Sequence, residues 1–196
     1  MLIGIIPTFR EIHINQIELC VDRRLIKFLQ QIFYKPKIKI ISEGYTLKNE
    51  KLIISCGGNT LNNFSKKKFD ILRGKLEANI INQSIKKKIK YIGLCYGAQF
   101  LAKKFGCKIK KIRDHVVKEH KIKFESKSYS VNSFHNYAII DSKSHSKKVE
   151  VLAKAQDKTI ECYKIKDHNL YGVMWHPERH LKIKKIDKRI FKLICN

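Results

Sequence analysis

The sequence predicts an α/β fold, a mainly parallel sheet flanked by helices with antiparallel strands in its C-terminal half. Three observations carry this expectation. Short β-branched apolar runs alternate with longer segments of helical period through the first half of the chain, the signature of strand–helix–strand crossovers. Beyond residue 120, strand-length runs follow one another with only polar turns between them, as antiparallel neighbours do. The chain of 196 residues is 43% apolar, has only 3 prolines and has no low-complexity linker, so one core and a single domain over residues 1–196 are expected.

The elements follow in order. LIGIIP at 2–7, KIKIIS at 37–42, KLIISC at 51–56 and KYIGLC at 90–95 are short β-branched runs, which suits buried strands. Between the first two, Val21, Leu25, Phe28, Leu29 and Ile32 recur at helical spacing; between the third and fourth, so do Phe69, Leu72, Leu76, Ile80 and Ile81. The fourth strand runs into a further helix, YGAQFLAKKFG. The runs KIKFES, YSVNSF, VEVLAKA, TIECYKI and LYGVMW then read as closely spaced strands. Residues 183–194, with Ile186, Ile190 and Leu193 on one face, read as a closing helix.

The 42 Lys and Arg against 17 Asp and Glu leave a formal charge of +25. The lysines are scattered through nearly every segment, without the Arg cluster or aromatic-interleaved stripe that a nucleic-acid groove needs, so nucleic acid is not an expected partner. Two accounts of the charge stay open: a general preference for Lys, Ile and Asn with solvated lysines, or an anionic small-molecule substrate. The 6 cysteines contain no CxxC pair, which fits free thiols in a reducing cytoplasm. LIGIIP lacks the basic start and long apolar core of a signal peptide and no run of 18 apolar residues follows, so neither export nor a membrane is expected. His115, His120, His145, His168 and His180 have no partner at metal-ligand spacing, and neither a metal nor a cofactor is expected. The oligomeric state stays open, a homo-oligomer included.

The segment KYIGLCYGAQFLAKKFG places Cys95 between Gly93 and Gly97 where a buried strand turns into a helix, a nucleophile elbow with sulfur for oxygen. Bulky residues two positions either side would collide in so tight a turn. The unpaired amides and positive dipole end of the helix favour a thiolate. The amide of Tyr96 is one candidate oxyanion donor; the glycines of CGGNT, after another strand, offer Gly58 as the second with Gly57 in support. LYGVMW ends in His176, Pro177 and Glu178. In an extended segment residues two apart share a side, so Glu178 is expected to reach back to the imidazole of its neighbour and complete a Cys-His-Glu triad.

With GLCYGAQ followed by YGVMWHPE, the chain resembles the class I glutamine amidotransferases, and especially their stand-alone γ-glutamyl hydrolase branch. The likeness takes in the first strand, CGGNT, the elbow, VNSFHNYA and HPER. It implies a flavodoxin-like core, a glutamyl thioester on Cys95, and hydrolysis of a γ-glutamyl amide that releases glutamate. It further implies that Gln99, Ser133, Phe134 and His135 hold the glutamyl amino and carboxylate groups, with Gly57 and Asn59 nearby. Arg73 and Glu77 resemble an RDxxE element of the hydrolase branch with Gly74 in the Asp position; a surface ion pair at this helical spacing is the equal alternative. Asn136 stands where the branch often has a second histidine. Little chain follows HPER, so a free-standing hydrolase is expected rather than a fused synthetase. The rivals are a glutaminase subunit feeding ammonia to a separate synthetase, a hydrolase of γ-glutamyl-amines or polyamines, and a basic binding module without chemistry.

Overall fold

The computed structural model describes residues 1–113, 115–140 and 147–195. In chain order, β1 (Leu2–Ile6) leads into a hairpin of β2 (Thr8–His13) and β3 (Gln16–Cys20), followed by α1 (Arg23–Ile32), β4 (Lys37–Ile40), β5 (Leu52–Ser55) and α2 (Lys68–Lys87). Then come β6 (Lys90–Leu94), α3 (Tyr96–Lys104), β7 (Lys108–Lys111), β8 (Val116–Phe124), β9 (Lys127–Phe134) and β10 (Tyr137–Ile140). The chain closes with β11 (Val149–Ala155), β12 (Thr159–Ile165), β13 (Leu170–Val173), a 3-10 turn at Pro177–Arg179 and α4 (Lys185–Cys195).

Strands β4, β1, β5, β6 and β13 lie side by side and parallel. Taken in the order they occur along the chain, that is the 2-1-3-4-5 arrangement of flavodoxin-like sheets. Beyond β13 the same sheet continues antiparallel through β12, β11, β8 and β9, with β10 and β7 attached beside β12. Alternation along the parallel strands divides the core between two faces. Ile3, Ile5, Leu52, Ile54, Ile92 and Leu94 meet α1 and α4 through Leu25, Phe28, Ile186, Ile190 and Phe191. Ile6, Ile53 and Tyr91 meet α2 and α3 through Leu76, Ile80, Leu101 and Ala102. All these side chains are buried, and withdrawing the larger ones from water stabilises the fold by roughly 1.5–3 kcal/mol each.

The closing helix turns a different face inward than the sequence suggests. Ile186 and Ile190 are buried, but Leu193 is 46% exposed and Phe191 and Ile194 take its place. Phe191 packs edge-on to Phe28 at 5.0 Å, which rotates the helix toward α1. No helix among the described residues is long and apolar enough to cross a membrane. The parallel order leaves the C-terminal ends of β5, β6 and β13 side by side, and the candidate site sits there.

Candidate active site

Between the end of β6 and the start of α3 the chain spends one residue, Cys95, at φ +50° and ψ −97°. A non-glycine residue held there costs on the order of 1–3 kcal/mol, so its surroundings must enforce it. They do so through close packing. A Cβ added to Gly93 would lie 2.3 Å from the Gly97 carbonyl carbon, and one on Gly97 would lie 2.3 Å from Ser55 Oγ. Only glycine on both sides lets the helix sit this near β5 and β6. Cys95 itself is 7% exposed, and beside it opens a cavity of about 260 Å³ lined in part by Thr8, Arg10, Gly57, Gly58, His176, Glu178 and Arg179.

His176 stands just past β13, and its Nδ1 lies 2.6 Å from Glu178 Oε1. The carboxylate does not arrive by strand alternation, as the sequence suggests. Pro177–Arg179 form a 3-10 turn that folds Glu178 back onto the ring. The histidine backbone is clamped by a residue that sequence reasoning did not single out: Asn132 on β9 accepts from His176 N at 2.9 Å and donates to His176 O at 2.7 Å. Phe134 packs edge-on against the imidazole at 5.7 Å between centroids. With Nδ1 engaged, Nε2 is the ring nitrogen left to act on the Cys95 sulfur, which lies close enough to His176 for each to shift the other's proton affinity.

Electrostatics follow from this contact. Burial pushes the Cys95 thiol up, but the charge and hydrogen bond of His176 outweigh it and hold the thiol below its ordinary value. Burial likewise pushes His176 down, yet the Glu178 carboxylate and the sulfur raise it to about 9. Both shifts favour a thiolate–imidazolium pair. Cys56, buried one strand away without such a partner, is pushed up to about 12. Burial and local charge thus separate a reactive sulfur from an inert one.

As the first residue of α3, Tyr96 presents an amide of the unpaired first turn. Gly57 lies so near the pair that a Cβ there would come within 2.7 Å of His176 Cε1 and 3.2 Å of Cys95 Cβ. Gly58 has φ +101° and abuts Thr8, where a Cβ would meet Thr8 Cγ2 at 2.9 Å. Thr8 Oγ1 donates to Gly57 O at 2.6 Å and so orients this turn. Its role was invisible in sequence because the β2–β3 hairpin that carries it was not foreseen.

The remaining expected substrate residues divide by where their polar atoms go. Asn59 accepts from Phe9 N at 3.0 Å and donates to Phe9 O at 3.0 Å and Asp70 Oδ1 at 2.9 Å, tying the turn to the hairpin. Gln99 donates to Tyr137 O at 2.9 Å, and Ser133 donates to His115 O at 2.5 Å. His135 is buried, with Nδ1 3.0 Å from Tyr137 O. Phe134 faces a neighbouring cavity with Arg179, whose guanidinium lies 4.8 Å from its ring centroid.

Arg73 and Glu77 are not a surface ion pair: both side chains are 0% exposed. Arg73 donates to Glu77 Oε2 at 3.0 Å, Ser55 Oγ at 2.7 Å, Cys56 O at 3.2 Å and Ile6 O at 3.3 Å, and Tyr91 donates to Glu77 from the other side. The pair lies beneath the β5 turn, which it holds, and is not among the residues lining the cavity. An aspartate at position 74 would have to displace the Asn62 side chain, since a Cβ there would come within 2.5 Å of Asn62 Nδ2. One turn earlier, Asp70 instead accepts from Thr60 N at 3.0 Å and Ser65 Oγ at 2.5 Å. Of the other histidines, His180 pairs with Asp187 at 2.9 Å and His168 packs against Phe105, while His145 lies outside the described residues. His115 and His120, which have no partner at metal-ligand spacing in the sequence, meet Glu161 in the fold.

The family model described as glutamine amidotransferase class-I matches residues 17–193. A curated relative, gamma-glutamyl-CDP-amidate hydrolase of Campylobacter jejuni subsp. jejuni serotype O:2, is 37% identical over 146 residues, covering 74% of this chain and 71% of its own. Among solved structures, a candidate component of a GMP synthase from Thermoplasma acidophilum aligns with TM-score 0.73 at 17% identity, covering 100% of this chain and 92% of that one. A glutamine amidotransferase from Thermotoga maritima aligns with TM-score 0.68 at 14% identity, covering 97% and 81%. At these identities the structural likenesses speak for the fold alone.

Proposed function

This chain belongs to the class I glutamine amidotransferases, and from that premise we propose that it hydrolyses a γ-glutamyl amide through a glutamyl thioester on Cys95. The observation that carries the reading is the placement of a strained, buried thiol beside an imidazole whose far nitrogen is held by Glu178. The thiolate attacks the δ-carbonyl, and the amides of Tyr96 and Gly58 receive the developing oxyanion. His176 gives its proton to the departing nitrogen as the C–N bond breaks. Water, deprotonated by the same imidazole, then attacks the thioester; the sulfur leaves as thiolate and glutamate is released. Glu178 keeps the ring in the tautomer and charge state that both steps need.

For the leaving group we propose a nucleoside diphosphoramidate, so that γ-glutamyl-CDP-amidate yields glutamate and cytidine diphosphoramidate. The curated relative acts on that compound by its name, and Arg10 and Arg179 line the cavity, where they suit a diphosphate. The reaction is assigned to the cytoplasm, where its thiolate stays reduced. The test compares γ-glutamyl-CDP-amidate, a γ-glutamyl-polyamine and glutamine as substrates of the purified chain. Cleavage of the first with a kcat/KM far above the other two is expected. Equal cleavage of the cationic polyamine would overturn the diphosphate leaving group while leaving γ-glutamyl chemistry in place. No cleavage of any of them would count against free-standing hydrolysis itself.

A further inference from the structure

One cluster of titratable side chains takes no part in that chemistry. His115 immediately before β8, His120 on β8, His135 just past β9 and Glu161 on β12 converge beside the active site. The His115 ring lies 4.9 Å from that of His120 and 5.0 Å from that of His135, between centroids. Glu161 is 0% exposed, with Oε2 3.4 Å from His120 Nε2 and Oε1 3.7 Å from His135 Nε2. His115 Nδ1, His120 Nε2, His135 Nε2 and Glu161 Oε2 are all buried without a hydrogen-bond partner. Orphaned polar atoms are rare in protein interiors, and the gathering of His115, His120 and Glu161 within 4.8 Å calls for a shared partner.

The groups behind these atoms show what that partner is. His115 Nε2 lies 2.8 Å from Asp157 Oδ2, and Asp157 is held in turn by Thr159 N at 3.1 Å and Thr159 Oγ1 at 2.7 Å. A carboxylate there claims the Nε2 proton and leaves a lone pair on Nδ1. His135 Nδ1 faces the Tyr137 carbonyl, which can only accept, so Nδ1 carries a proton while Nε2 turns toward Glu161. The single hydroxyl proton of Thr159 lies between Asp157 Oδ1 at 2.7 Å and Glu161 Oε1 at 3.2 Å, and Glu161 Oε2 stays open. A buried carboxylate facing imidazole nitrogens is satisfied by protons on those rings or by a metal cation between them. An imidazole ligand backed by a carboxylate on its other nitrogen is the arrangement that orients metal-binding histidines.

We propose that His115, His120 and Glu161, whose donor atoms lie within 4.8 Å of one another, bind a divalent transition-metal ion of the zinc type, with His135 packed beside the group. Two imidazoles and one carboxylate suit zinc and its neighbours; calcium and magnesium would ask for an all-oxygen shell. The ion acts as a staple. It ties β8 and the segment before it to β12, and β9, paired with β8, carries Asn132, which clamps His176, and Ser133, which holds the His115 carbonyl. Spacing along the chain could not announce this site, because its histidines and its carboxylate come from strands about forty residues apart and meet only across the sheet.

The experiment uses the full chain, stripped with a chelator and then titrated with Zn²⁺ alone or Co²⁺ alone. About one ion per chain should survive desalting, and the cobalt form should show d–d absorption without a thiolate charge-transfer band. Glu161→Gln and His120→Ala should each weaken Zn²⁺ binding at least about tenfold, and Asp157→Asn roughly 10–100-fold. Circular dichroism of each metal-free variant separates lost ligation from lost folding. Cys95→Ala should bind as the parent does. Failure of the parent to retain any ion would overturn the proposal and leave a cluster neutralised by protons alone. So would Zn²⁺ affinity that survives Glu161→Gln and His120→Ala, or a thiolate band that disappears with Cys95→Ala.

Discussion

Replacing Arg73 with Met should destabilise the protein by about 3–5 kcal/mol, the cost of removing one partner from a buried ion pair. Nη2 of Arg73 lies 2.8 Å from Glu77 Oε2, and both side chains are 0% exposed. At that distance and an effective dielectric near 20, the Coulomb attraction is about 6 kcal/mol. In the intact pair much of this is offset by the desolvation of both ions; in the variant, the desolvated carboxylate remains and the attraction does not. Ser55 Oγ, Cys56 O and Ile6 O lose their donor as well. Against a total stability of about 5–15 kcal/mol, such a loss leaves the fold marginal. Urea unfolding followed by circular dichroism measures it, and a double variant, Arg73→Met with Glu77→Leu, should recover a good part because no charge is left buried. Because neither side chain lines the cavity, KM of the surviving folded enzyme should change little. A loss below about 1 kcal/mol, or a large rise in KM without loss of stability, would refute a supporting role and restore a substrate-binding one.

Other perturbations read the site directly. The pH dependence of kcat/KM should be bell-shaped, rising as the Cys95–His176 pair loses its first proton below the ordinary thiol range and falling near 9 as the imidazolium deprotonates. Glu178→Gln removes the charge that raises His176 and should move the alkaline limb to lower pH; an unmoved limb would sever the link between this carboxylate and the imidazole. Gly97→Ala drives a Cβ to 2.3 Å from Ser55 Oγ, itself held by Arg73, so overpacking should cost about 1–3 kcal/mol and lower Tm by about 2–4 °C for each kcal/mol. An unchanged melting curve would mean the elbow has slack. Asn132→Ala frees the backbone of His176 and should lower kcat at least about tenfold with KM nearly unchanged; the opposite split would make Asn132 a binding residue.

Most of the parallel half of the fold was legible because its central strands bury both faces and appear as unbroken apolar runs, as in LIGIIP and KLIISC, whereas KIKI of β4, expected to be buried, lies at the sheet edge and is mostly exposed. The β2–β3 hairpin was not legible, since TFREIH and QIELC bury little beyond Thr8 and Phe9 and carry no continuous apolar signal. β7, with the sequence KIKK, shows its lysines to solvent and hides for the same reason. In the candidate site, Cys95 and the two glycines form a local pattern imposed by one turn, so sequence carries it whole. Arg73 and Glu77 show the opposite case. Helical spacing placed them together correctly, but whether the pair faces water or the core depends on which face of α2 meets the sheet, a tertiary fact. Asn132 and the histidine–glutamate cluster are tertiary throughout: their partners lie on other strands, and no local period records them.

Intact-protein and peptide mass spectrometry during turnover of a γ-glutamyl substrate bears most directly on the chemistry assigned to this site. A transient glutamyl group should be found on Cys95 after acid quenching, should accumulate in Glu178→Gln if loss of the charge on His176 slows hydrolysis more than acylation, and should be missing from Cys95→Ala together with all turnover. Turnover that persists in Cys95→Ala, or a glutamyl group trapped on any other residue, would contradict the account.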